Sequence, residues 1–320
     1  MRTPLINLPS ALHAKTKLLA MASSLPNPFL LLPFSLLLLL PSCLGNSTVA
    51  ITHHGGPILT GNLNLTFIWY GQFGRVQKNA LRAFVDSLNY NAAANLQPQV
   101  SQWWKIVEGF QDAAGKPNAP IIVKVVKQIT DVDYSVGKVF TRDSVKPLIQ
   151  KASSDDKDAI PVIFTAKDVS VDGLCKGKCS EHGVLENKPY LLVGNPENEC
   201  PGACAWPFHK SDSGPVGVTL NPPNGNVGAD AMAIAFAEGL VDIVTNPLNT
   251  GFFQENNESP IEAGSACHGV FGSGALAGYT GKVRIDPSTG GGFNAHGSRG
   301  KKFLLPAIWD PKTHACWTLM

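Results

Sequence analysis

Hydrophobic and polar positions alternate along residues 62–69, where Leu63, Leu65, Phe67 and Trp69 are separated by Asn62, Asn64 and Thr66. A period of two predicts a strand with one buried face. Ala80, Leu81, Phe84, Val85 and Leu88 then recur at helical spacing. A second amphipathic helix is expected after Pro98, with Val100, Trp103, Trp104, Val107 and Phe110 on one side. The tandem tryptophans raise a carbohydrate platform, but their register with Val107 makes a core stripe the better reading. The apolar run 121–126 predicts a strand, 141–153 a helix carrying Val145, Leu148 and Ile149, and 161–166 and 190–193 two more strands. Residues 196–228 are rich in Pro, Gly and Asn, which predicts an ordered but irregular stretch. Residues 229–244 hold no Pro and one Gly and are largely apolar, so a long buried helix is expected. Beyond Gly251 the density of Gly and turn residues leaves room for short strands only. Helices alternating with strands give an α/β (mixed α+β) fold in a single domain, with a loop-rich C-terminal part.

The N-terminal segment changes the picture of where this domain works. Phe29 to Leu40 reads FLLLPFSLLLLL. Twelve residues fall short of the roughly 20 that span a bilayer and match the core of a signal peptide. Small residues stand at the minus-three and minus-one places if cleavage follows Gly45. Residues 1–45 are therefore expected to be a removed leader and 46–320 one mature domain, with Met21 an alternative start. Removal takes away Arg2, Lys15 and Lys17 and no acid, so 26 Lys+Arg against 24 Asp+Glu becomes 23 against 24. A near-neutral chain of scattered charge gives no electrostatic reason to bind nucleic acid or anionic membrane, and no later stretch approaches spanning length.

Six of the seven cysteines follow the leader: Cys175, Cys179, Cys200, Cys204, Cys267 and Cys316. In an exported chain they read as disulfides rather than as a zinc site built on two Cys-x3-Cys pairs. Proximity favours Cys175 with Cys179 and Cys200 with Cys204, leaving Cys267 with Cys316; interlaced pairs are nearly as plausible. Asn46, Asn64 and Asn257 begin glycosylation sequons. The expected address is the extracellular space.

Several segments resemble one family in order along nearly the whole mature chain. They are His54-Gly-Gly-Pro-Ile-Leu-Thr-Gly61, Ile68-Trp-Tyr-Gly71, Trp103-Trp104, Tyr134-Ser-Val-Gly137, Asp168-Val-Ser-Val171 and Cys175 with Cys179. Cys200-Pro-Gly-Ala-Cys-Ala-Trp-Pro-Phe-His209, Pro222-Pro-Asn-Gly225, Thr245-Asn-Pro247, Cys267 and Lys302-Phe-Leu-Leu-Pro306 continue the series. Together they resemble the EXORDIUM (phosphate-induced protein) family of plants, and its EXORDIUM-like members most. The resemblance implies an apoplastic protein tied to growth control, brassinosteroid response and carbon status. The extension before Met21 departs from it, as do Glu238 and Asp242, where small or apolar residues are expected.

Motifs for chemistry are sparse. There is no Gly-x-Ser-x-Gly, P-loop or dinucleotide fingerprint, and no His-x-x-x-His pair. His209 stands in the most distinctive segment, where a polar cap on a disulfide-pinned loop is the simplest role. Glu238 and Asp242 lie four apart on the helix that enters Thr245-Asn-Pro247, the place where zincin-type peptidases carry metal ligands. Two carboxylates without histidine suit zinc poorly. A zincin-like scaffold without its machinery is one expectation; two acids on the polar side of a buried helix is the other. No catalytic residue, metal or cofactor is assigned. The expected activity is non-enzymatic signalling or wall interaction with an extracellular protein or cell-wall component, the alternative an extracellular hydrolase.

Overall fold

The structure, a computed structural model, describes residues 50–91, 96–152, 158–214, 217–256 and 259–319. The expected leader and the sequons at Asn46 and Asn257 lie outside the described residues. The fold is α/β. In chain order its principal elements are β1 (Asn62–Tyr70), α1 (Arg75–Leu88), α2 (Val100–Glu108), β2 (Ile122–Asp131), α3 (Arg142–Ala152), β3 (Ile160–Thr165), β4 (Ser180–Leu185), β5 (Lys188–Val193) and α4 (Val227–Thr245). The five strands form one sheet in the order β2-β1-β3-β5-β4. The first four run parallel, and β4 closes the edge antiparallel to β5.

β1 differs from the expectation of one buried face. Leu65, Phe67 and Trp69 pack with Phe84, Trp103 and Phe236 on one side of the sheet. Ile68 and Tyr70 pack with Phe140, Val145 and Leu148 on the other. A parallel strand at the centre of a sheet is covered by helices on both faces, so apolar side chains fill both of its registers. Trp103 and Trp104 are core residues, with indole N–H groups donated to the carbonyls of Pro306 and Ile121 at 2.8 Å each. Asn64, the one sequon asparagine described, is half-buried in β1.

The hairpin of β4 and β5 turns through Glu186 and Asn187, both at positive φ (51° and 63°). Two such residues give the mirror-image turn whose twist matches antiparallel strands. α4 begins at Asn226, whose side chain accepts the Ala229 N–H at 2.8 Å. Every residue from Gly228 to Thr245 is buried. Phe303, Leu305 and Ile308 complete the same core from the far end of the chain. Thr52–His53 pairs with Phe252–Gln254, which pairs in turn with Ile261–Glu262.

All six cysteines are paired: Cys175–Cys200, Cys179–Cys204 and Cys267–Cys316. The first two correct the pairing favoured by proximity, while the third agrees with it. Cys200 and Cys204 flank the single helical turn Pro201–Cys204, and four residues apart they point the same way. Each therefore reaches across to a different partner ahead of β4. The sulfurs of Cys175, Cys200 and Cys204 crowd together. All three are consumed in disulfides and offer no thiolate to a metal.

Candidate functional site

The end of α4 gathers the polar side chains that the sequence singles out. Glu238 and Asp242 are on no polar side: both are buried, because the whole helix is. Asp242 Oδ1 accepts the Gly264 N–H at 2.6 Å. Its proton affinity is raised first by burial and then by the charge of Glu262, against the pull of the Gly264 N–H. Glu262, on the short strand Ile261–Glu262, meets His182 Nε2 with both carboxylate oxygens at 2.9 Å. It also accepts from Asn246 Nδ2, while Asn246 Oδ1 accepts the Gly251 N–H at 2.7 Å. The Thr245-Asn-Pro247 turn is thus sewn to the segments before and after the short strand. Asp242 belongs to this stitching. His182 and Glu262 stand 80 residues apart in sequence, and no local pattern marks the pair.

Glu238, one turn earlier, has a different surrounding. It borders a narrow recess with Trp206, Pro207, Ile234, His268 and Phe271. The nearest ionisable partner among the described residues is His268, with Nδ1 3.8 Å from Glu238 Oε1. Burial alone pushes the Glu238 carboxyl up to about 8. At neutral or acid pH it is a neutral carboxylic acid, a donor as well as an acceptor. Desolvation lowers the proton affinity of His268 as well, although half of its side chain remains exposed.

The recess leads into a cleft of about 470 Å³, within the range of small-molecule sites, about 300–1,000 Å³. The two share the walls Cys179, Ala203, Cys204, Trp206, His268 and Gly269. One side of the cleft is the segment that contains Trp206, Ser211 and Ser213, and the other runs from His268 to Gly278. Both are anchored by disulfides, through Cys204 and Cys267. Gly214 and Gly217 approach the carbonyls of Ala277 and Gly278 too closely for a side chain, which locks the two walls together beyond the opening. His209 is exposed, with Nδ1 3.0 Å from the Lys210 carbonyl oxygen, and lines no part of the cleft.

The family model described as the phosphate-induced protein 1 conserved region matches residues 51–319. The chain belongs to the phosphate-induced protein 1 family. It is 40% identical to Protein EXORDIUM-like 6 of Arabidopsis thaliana, over 89% of this chain and 95% of that protein. Protein EXORDIUM of Arabidopsis thaliana is 39% identical, covering 86% and 91%, and Protein PHOSPHATE-INDUCED 1 of Nicotiana tabacum 38%, covering 84% and 88%. No solved structure matches the chain. In this family member the segments that carried the resemblance are brought together by the fold. Tyr134 of Tyr134–Gly137 donates its hydroxyl to Asp168 of Asp168–Val171 at 2.9 Å. Tyr70, from Ile68–Gly71, accepts the Val136 N–H at 3.0 Å. Cys200–His209 forms a wall of the cleft.

Proposed function

We propose that this member of the phosphate-induced protein 1 family is exported to the apoplast and acts there, without catalysis, in the control of growth linked to brassinosteroid response and carbon status. The observation that carries the proposal is that all six cysteines beyond residue 45 are joined in three disulfides. Disulfides persist in oxidising compartments, and a chain that uses every available thiol structurally fits that environment. Near-neutral mature charge, the leader-like N-terminus and the Asn64 sequon support the same reading. A role in binding rather than turnover is supported at α4, where Asp242 is buried and hydrogen-bonded to the Gly264 backbone and does not line the recess that Glu238 borders.

The test is to express the full chain with a C-terminal tag in plant cells and collect the apoplastic wash. The mature form is expected there, starting within a few residues of Asn46 and losing mass on removal of N-glycans. An intact leader retained on membranes overturns export. One observation favours a second reading, an extracellular hydrolase: Glu238 is a protonated carboxyl in a narrow recess beside a cleft, as a general acid could be. On that reading Glu238→Gln abolishes the growth effect of the exported protein, whereas on the proposal it leaves the effect in place.

A further inference from the structure

The platform chemistry that the tandem tryptophans raise is absent where they stand, since Trp103 and Trp104 are both in the core with their N–H groups satisfied. Trp206 offers it instead. It is half-buried, lines both recess and cleft, and has Gly269 against its ring, where an added Cβ would lie 3.7 Å from Cζ2. No hydrogen bond engages its indole N–H among the described residues. Glu238 is the second unspent group. Its side chain is only 10% exposed, it borders the recess, and among the described residues its nearest polar neighbour is His268 at 3.8 Å, too far for a hydrogen bond.

Lys178 on the cleft wall is paired with Glu181 at 3.0 Å. Glu238 holds its proton near pH 7, and the proton affinity of the half-exposed His268 is lowered by desolvation. Among the described residues that line the cleft the one lysine is therefore paired, while Asp212, between Ser211 and Ser213, holds its carboxylate against Gly202 of the same wall and offers acceptor oxygens there. What the cleft offers is an indole face, the Ser213 hydroxyl, the Asp212 carboxylate and bare glycine backbone. The Ser211 hydroxyl is donated to the Ser213 carbonyl at 2.8 Å. The adjoining recess adds one carboxylic acid that both donates and accepts.

We propose that this cleft binds a neutral polyhydroxylated ring, a mono- or disaccharide unit, with Trp206 under its C–H face and one hydroxyl entering the adjoining recess, where it exchanges hydrogen bonds with Glu238. Stacking the apolar face of a sugar on an indole removes area from water and leaves the equatorial hydroxyls at the rim for polar partners. A hydroxyl is at once donor and acceptor, and the protonated carboxyl matches it in both senses where a carboxylate matches one. The inference concerns the purified protein and stands apart from where the protein is exported.

The test is titration of the disulfide-bonded mature protein with glucose, xylose and cellobiose, read by tryptophan fluorescence and saturation-transfer NMR. Galacturonic acid serves as the anionic arm and catechol as the non-sugar aromatic arm. At least one neutral sugar is expected to saturate with a Kd of about 1 mM or tighter. Trp206→Ala should weaken it about tenfold or more, and Ala203→Phe, which fills the cleft from another wall, should do the same. His209→Ala, outside the cleft, should leave it unchanged. Affinity should hold from pH 5 to 7 and fall above about 8 as Glu238 ionises, with His268 and Lys178 lining the cleft, Asp212 against its wall at Gly202 and Asp242 one turn along the helix. Glu238→Gln should remove that fall. The proposal is overturned if no neutral sugar saturates by about 50 mM. It is equally overturned if both cleft variants bind as tightly as wild type, or if galacturonic acid or catechol binds better than every neutral sugar.

Discussion

Glu238→Gln should leave stability nearly unchanged at pH 4.5 and raise it at pH 8. In the unfolded chain this carboxyl ionises near 4.5, and in the folded protein near 8. Below 4.5 both states hold the proton and nothing is lost. Between the two values the unfolded chain releases a proton that the folded protein keeps, so stability falls as pH rises, and it levels off once the folded carboxyl ionises too. Each tenfold change in proton affinity is about 1.4 kcal/mol, so a rigid recess makes the full loss roughly 4–5 kcal/mol. Water entering the recess on ionisation would shrink it to the order of 2 kcal/mol. Glutamine has the same shape and no proton to lose, so the variant escapes the penalty. Asp230, pushed up to about 7 by burial, and Asp242, also raised, titrate in the same sense. Both are present in the two proteins, so the difference reports Glu238 together with the lesser effect its charge has on Asp242. Urea unfolding of wild type and variant at pH 4.5, 6 and 8, with disulfides intact, reads it directly. A difference that does not grow with pH, or a variant weaker than wild type at pH 8, refutes the burial argument.

Peptide mapping of the unreduced protein should recover Cys175–Cys200, Cys179–Cys204 and Cys267–Cys316 and no free thiol, and local Cys175–Cys179 loops would contradict the fold. Replacing Cys267 and Cys316 together by serine opens a link across 49 residues, with an expected loss of about 4 kcal/mol in urea unfolding. Trp103→Ala empties a fully buried site and frees the Pro306 carbonyl, so a loss of about 3–5 kcal/mol is expected by the same assay. Gly264→Ala places a Cβ 2.3 Å from the Glu238 carbonyl oxygen and should cost about 1–3 kcal/mol, seen as a lower Tm.

Most of the sheet and helix framework was legible because its signals are local. Every strand expected in residues 62–193 and the helices at α1, α2, α3 and α4 appear, since each carries an apolar period of its own. β4 was not legible: SEHGVL has no alternation, and only its turn, an unusual Glu186-Asn187 at positive φ, commits it to the edge of the sheet. The burial of both faces of β1 was hidden because Asn62, Asn64 and Thr66 imitate a solvent face at its start, ahead of Ile68 and Tyr70. At the candidate site the sequence marked Glu238 and Asp242 through their spacing but could not separate them. One hydrogen-bonds to the backbone of Gly264 and the other faces a recess, and that distinction comes from residues 262–271 folding back over α4. His268 and Trp206 belong to segments that meet only in three dimensions.

The last residues of the chain finish the first core. Phe303, Leu305 and Ile308 pack among Phe84 and Trp103, the Ser298 N–H reaches Ser87 at 2.9 Å, and Thr52–His53 pairs with Phe252–Gln254. Synthesis delivers the N-terminal half first, so α1 and α2 emerge with an apolar face that has no cover until translation is nearly complete. Long-range closure of this kind is slow and leaves the nascent chain prone to association. A premature stop anywhere before residue 303 removes the lid of the first core along with the tail, so truncated products should be cleared by quality control rather than persist as partial domains.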